Sequence, residues 1–95
     1  MRRAAKRDDN ESAIVTALRK AGALVRIITQ GEGLPDLLVG YQGRTILMEV
    51  KDGAKIPSQR RLTEDEQKFF DAWTGGELYK VESVEESLAI LNKRL

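Results

Sequence analysis

Two apolar runs, residues 36–40 and 45–51, are joined by the residues YQGR, and this hairpin limits the fold more than any other stretch of the chain. A tight turn at Gln42–Gly43 sets the register: Gly40 faces Thr45, Leu38 faces Leu47 and Asp36 faces Glu49. Side chains alternate along a strand, so Thr45, Leu47, Glu49 and Lys51 share one face, while Ile46, Met48 and Val50 pack on the other. Directly opposed residues have Cβ atoms roughly 4.5–5.5 Å apart. Two carboxylates about 5 Å apart repel by roughly 3 kcal/mol at an effective dielectric near 20, a large share of a small domain's stability. Something must compensate for placing Asp36 against Glu49. One solution is a divalent cation held by both carboxylates, with the Val50 carbonyl as a further oxygen donor. Lys51 would then help deprotonate a water or stabilise charge developing on a phosphate. The other solution is an ordinary ion cluster, in which Lys51 neutralises the two acids.

Two absences narrow the chemistry. The chain has no cysteine, which removes disulfides, thiol catalysis and thiolate zinc sites, and no histidine to act as base or metal ligand. Catalysis is left to carboxylates, lysine, tyrosine or hydroxyls, and any metal must be a hard, oxygen-bound ion such as Mg²⁺ or Mn²⁺. No organic cofactor is expected. There is no apolar run long enough for a membrane span and no secretory signal at the start, so a cytoplasmic location is expected.

The 95 residues amount to one domain, expected over residues 10–95 and preceded by a basic tail, residues 1–9, that carries Arg2, Arg3, Lys6 and Arg7. A second basic cluster, Lys55, Arg60 and Arg61, lies in a loop-like stretch, residues 52–62. Both are candidate phosphate contacts on a chain whose net charge is only +1; the plain alternative is a solvated tail and loop. Helical spacing of Ile14, Leu18 and Ala21 predicts a helix over residues 10–21, and ALVRII reads as a strand over residues 23–28. Thr63 with Glu66 forms a capping box that opens a helix running to about Trp73. ELYKV is a short strand, and Ser83 with Glu86 opens a last helix with Val84, Leu88, Leu91 and Leu95 on one stripe. The order is αβββαβα, an α/β domain with a small mixed sheet flanked by helices.

Three more positions bear on the hairpin charges. Glu11 falls on the buried stripe of the first helix, where a carboxylate is costly unless paired or metal-bound; a capping box with Asp8 is the alternative. Gly33, just before Pro35 and Asp36, permits close approach of another backbone or of a phosphate, and an ordinary tight connection explains it equally well. Gln67 lies one turn before Phe70 and Asp71, either turned toward the apolar side of its helix and in need of partners, or simply exposed.

Taken together, these residues resemble the PD-(D/E)XK nucleases, and more narrowly a virus-type replication-repair nuclease (VRR-NUC) domain. The resemblance runs from Glu11 through GLPDLLV, with Gly33, Pro35 and Asp36, and MEVK, with Glu49 and Lys51, to LTEDEQ, ending at Gln67. It covers nearly the whole chain from about residue 10 and includes the closing strand and helix. It implies a restriction-endonuclease-like core and Mg²⁺- or Mn²⁺-dependent hydrolysis of DNA phosphodiesters. By the resemblance Asp36 and Glu49 hold metal and Lys51 is the catalytic lysine. Glu11 is a further acidic site residue, acting directly or through water, and Gln67 orients groups in the site. The resemblance further implies a stand-alone, phage-type homodimer, acting within the host cell in replication or repair and cutting branched DNA as a Holliday-junction resolvase does. Arg60, Arg61, Lys55, Gly33 and the tail residues Arg2, Arg3, Lys6 and Arg7 are then the expected DNA contacts. The alternatives are a restriction-like or nicking endonuclease on linear duplex, a DNA-binding module without activity, and a structural protein with a coincidental ion cluster.

Overall fold

The computed structural model describes residues 8–28 and 31–94. The order of elements is α1 (Glu11–Lys20), β1 (Leu24–Ile27), β2 (Leu37–Tyr41), β3 (Arg44–Val50), α2 (Glu64–Ala72), β4 (Glu77–Val81) and α3 (Val84–Leu91). The strands form one sheet in the order β1-β2-β3-β4, antiparallel across the first three and parallel between β3 and β4. The chain is therefore an α/β domain with a mixed sheet and three helices, as the patterning predicts.

The hairpin has the predicted register, with Gly40 against Thr45 and Leu38 against Leu47. Gln42 and Gly43 both have positive φ, +47° and +80°, the turn whose twist matches that of paired strands. One face of the sheet presents Val25, Val39, Ile46, Met48, Val50 and Val81, all fully buried. Against it lie Ile14, Val15 and Leu18 of α1 and Ile90 and Leu91 of α3. Burying each such side chain stabilises the fold by about 1.5–3 kcal/mol, so this face holds the domain together. Arg44 ties the sheet to α3: it grips both oxygens of Glu77 at 2.9 and 2.7 Å and donates to the carbonyls of Ile90 and Leu91.

The expected caps form unevenly. Thr63 and Glu66 make the full reciprocal box. At α3, Ser83 Oγ accepts from the Glu86 N–H, but the Glu86 carboxylate takes the N–H of Glu82 rather than that of Ser83. The Asp8–Glu11 box does not form: only the Asp8 carbonyl accepts the Glu11 N–H. Asn10 is the N-cap and makes no side-chain cap bond. Its Nδ2 instead donates to the carbonyls of Lys51 and Glu82, both at 3.1 Å, anchoring the start of α1 to the chain just beyond β3 and β4. The loop over residues 52–62 contains a single 3-10 turn, Pro57–Gln59. No residue of α2 is fully buried; Phe69 and Phe70 are half-buried, and Trp73 stacks on Phe69 with ring centroids 5.4 Å apart. Leu95, expected at the end of the last stripe, lies outside the described residues.

Candidate active site

The second face of the sheet carries the charges. Asp36 precedes β2, where its carbonyl accepts the Ile28 N–H at 2.7 Å and its Oδ2 accepts the Val50 N–H at 2.8 Å. That second bond pins the carboxylate beside the end of β3. Glu49, opposite Asp36 in the hairpin register, is only 2% exposed. Lys51 is buried too, and its Nζ lies 3.7 Å from Glu49 Oε2. Within a strand the N–H and C=O of one residue leave on the same side, so the Val50 carbonyl is directed toward β2 as its N–H is.

The nearest partner of Lys51 is Glu66, whose Oε1 lies 2.8 Å from Nζ. Sequence reasoning saw Glu66 only as a helix cap, and it is that as well: the same Oε1 accepts the Thr63 N–H at 2.8 Å. What brings it within reach is Gly33. At φ +74° that residue has the first turn of α2 packed against it, and a Cβ there would collide with the Asp65 carbonyl. The close approach allowed by this glycine is thus taken up by the backbone of α2. The sequence marks the neighbouring residue, Gln67, but its exposed amide donates to Asp71 Oδ1 at 2.9 Å, away from the cluster. Glu11 is 5% exposed on α1, next to the Asn10 anchor and hence at the same end of the sheet.

The electrostatics follow from this crowding. Burial, then the neighbouring Asp36 charge and the contact with Glu66, push the Glu49 carboxyl up to about 10. Burial alone would lower the Lys51 ammonium, but the bond to Glu66 and the charges of Glu66 and Glu49 hold it above its usual range. Burial likewise opposes ionisation of Glu66, yet the bonds from Lys51 and the Thr63 backbone keep its carboxyl below the usual carboxylate range. The site as folded is a Lys51–Glu66 ion pair beside two carboxyls that cannot comfortably both be charged.

Whether a divalent cation suits this cluster can be judged from its atoms. Glu49 Oε1 is a buried oxygen with no hydrogen-bond partner. An orphaned acceptor inside a domain needs an explanation, and a cation shared with Asp36 supplies one. All the donors are hard oxygens, as Mg²⁺ and Mn²⁺ prefer. Asp36, Glu49 and the Val50 carbonyl therefore fit such an ion. Among the described residues, no group of three or more acidic side chains forms a ready-made metal site, so the ion would depend on two carboxylates and main-chain oxygen.

The expected DNA contacts do not form one patch, although Arg60 and Arg61 line a common cavity. Arg60 pairs with Glu82 at 3.2 Å and Lys55 with Asp8 at 3.5 Å, while Arg61 is exposed. Arg2, Arg3, Lys6 and Arg7 lie outside the described residues. No helix among the described residues is long and apolar enough to cross a membrane. Compared with protein-family models, with curated proteins and with solved structures, the chain matches none.

Proposed function

We propose that this chain is a metal-dependent DNA endonuclease of the PD-(D/E)XK kind, in its small VRR-NUC form. The observation that carries the reading is the Asp36–Glu49–Lys51 cluster at the end of β3, in which Glu49 and Lys51 are buried and Glu49 Oε1 is left without a hydrogen-bond partner. A structural salt bridge between Lys51 and Glu66 has no need of a second carboxyl buried beside it with one oxygen unsatisfied. In the proposed reaction a water oxygen bonds to phosphorus in line with one ester oxygen, whose P–O bond breaks and which leaves as the alcohol. The ion, held by Asp36, Glu49 and Val50, supplies positive charge to the phosphate and acidifies the water. Lys51 supplies its ammonium to the phosphoryl oxygens, where developing charge is best stabilised. To do so it must part from Glu66, which holds it in the folded protein described here. In this reading Glu11, buried at the start of α1, is a further acidic residue acting directly or through water, and Gln67 would have to leave Asp71 to orient substrate.

Branched DNA is the proposed substrate and a homodimer the proposed form, since symmetric cuts across a two-fold junction need two equivalent sites. The short Tyr41–Arg44 turn supports selection by structure rather than by base sequence, because it leaves little surface for reading base edges. A second reading has its own support: Lys51 is already neutralised by Glu66 at 2.8 Å, which is what a purely structural ion cluster requires.

Cleavage of end-labelled four-way junction, flap, nicked and linear duplex, each with Mg²⁺, Mn²⁺ or EDTA, separates these readings. Paired, metal-dependent cuts on the junction that vanish with Lys51→Ala are the expected result. Cutting of every substrate alike removes the junction preference and keeps the catalytic site. No cutting, together with no Mn²⁺ shift in melting temperature, leaves the ion-cluster reading in possession.

A further inference from the structure

Cations converge on the flank of the candidate site farthest from β2. Lys80 of β4 is the register partner of Glu49, and residues paired across neighbouring strands leave the sheet on one face. Its side chain therefore rises beside the site, one strand spacing of roughly 4.8 Å from β3. There Nζ lies 3.2 Å from Glu82 Oε2 and donates to the Arg60 carbonyl at 3.3 Å. Arg60 Nη1 donates to the other oxygen of the same carboxylate, also at 3.2 Å. These residues, with Arg61 and Pro57, line a cavity of about 230 Å³. Arg60 contributes one more feature: its Nε is buried without a hydrogen-bond partner.

Two cations bridging the two oxygens of one carboxylate is also how two non-bridging oxygens of a phosphodiester are held. The lining has three cations, Arg60, Arg61 and Lys80, against the single acid Glu82, so the pocket is over-supplied with positive charge for its own needs. Ion pairs that keep contact with solvent, as these do, contribute little to stability, and an incoming phosphate exchanges one weakly held anion for another. The Lys80 bond, with Arg60 in support, keeps the Glu82 carboxyl below the usual range, so it is a standing negative charge at neutral pH.

We propose that Arg60, Arg61 and Lys80 form a subsite for a backbone phosphate of the nucleic-acid strand flanking the scissile one, with Glu82 as the resident counter-charge that the phosphate displaces. The identity of the strand rests on the nuclease reading; the anion site does not. Its sign pattern is distinctive, because removing a cation and removing Glu82 must act in opposite directions.

The test is binding of a fluorescent DNA duplex to the full chain in EDTA, where no cleavage is needed, over a series of salt concentrations. Lys80→Ala and Arg61→Ala are each expected to weaken binding about 3–10-fold and to reduce the slope of log affinity against log salt by about one. Glu82→Gln is expected to tighten binding about 3–10-fold. Thermal melts of each variant exclude unfolding as the cause. Unchanged affinity in the cation variants, or weaker binding by Glu82→Gln, overturns the proposal. Inorganic phosphate binding as tightly as the oligonucleotide overturns the backbone assignment. The full sign pattern in a protein that cuts no DNA with Mn²⁺ would keep the subsite and sink the nuclease reading. Cleavage without the pattern would do the reverse.

Discussion

At its C-terminal end the two faces of β3 are buried to similar depth and do opposite things. Ile46, Met48 and Val50 are fully buried under α1 and α3, and every atom they bury favours folding. Glu49 and Lys51, interleaved with them along the same strand, are 2% and 9% exposed on the other side. The Lys51 charge is met by Glu66 and Glu49, while Asp36 adds to the cost of charging Glu49. The difference is that a sheet face can hold unfavourable charge when its opposite face has stability to spare. A strand that alternates strictly between two roles lets one short segment supply both core and chemistry.

The largest expected effect separates the faces by kind. Lys51→Ala removes the cation from among the carboxyls and is expected to destabilise the metal-free protein by about 3–5 kcal/mol, with loss of any metal-dependent cleavage. Mn²⁺ should recover much of that stability, as read by calorimetry. Met48→Ala, on the other face, is expected to cost about 2–5 kcal/mol through the cavity it leaves, a loss that neither metal nor pH repairs. Equal rescue of both variants by Mn²⁺ would break the comparison.

The pH dependence sharpens it. A carboxyl raised to about 10 in the folded protein binds a proton that the unfolded chain releases near the ordinary glutamate value of 4.5. Stability of the metal-free protein therefore falls as pH rises between those values, by at most about 1.4 kcal/mol per unit. Glu66, held low, loses its contribution only as pH falls into the acid range. Lys51, held high, loses its own only as pH rises through a value above 10.5. Between pH 5 and 9 the melting temperature in EDTA should thus decline by roughly 20 °C or more at the full slope, Glu49→Gln should flatten that decline, and Mn²⁺ binding should release about one proton.

The smallest expected effect concerns how the second face is assembled. Gly33→Ala places a Cβ against the Asp65 carbonyl at positive φ and is expected to cost about 1–3 kcal/mol. Amide exchange should speed up through α2 and remain slow in α1, because only α2 depends on that contact. Uniform acceleration across both helices would mean that α2 is coupled to the core more tightly than its lack of buried residues indicates.

The hairpin, its turn, its register and the opposition of Asp36 to Glu49 were all legible in the sequence. Each depends on residues fewer than twenty apart and on the two-residue period of a strand. The covered core was legible for the same reason. Glu66 was not: a capping box accounts fully for a glutamate at that position, so its second role leaves no mark in the pattern. Neighbouring helix positions point about 100° apart, so choosing between Glu66 and Gln67 requires knowing how α2 is docked. Asn10 is a parallel case, a residue of N-cap type whose amide is spent on Lys51 and Glu82, 41 and 72 positions away.

By itself, then, the sequence determined which residues form strands and helices, which face of β3 is core, and that two acids and a lysine meet at its end. Only the tertiary structure decided what that lysine touches. The direction of a long side chain is set by the element packed over it, and here that element is placed by a glycine distant in sequence from both partners of the ion pair.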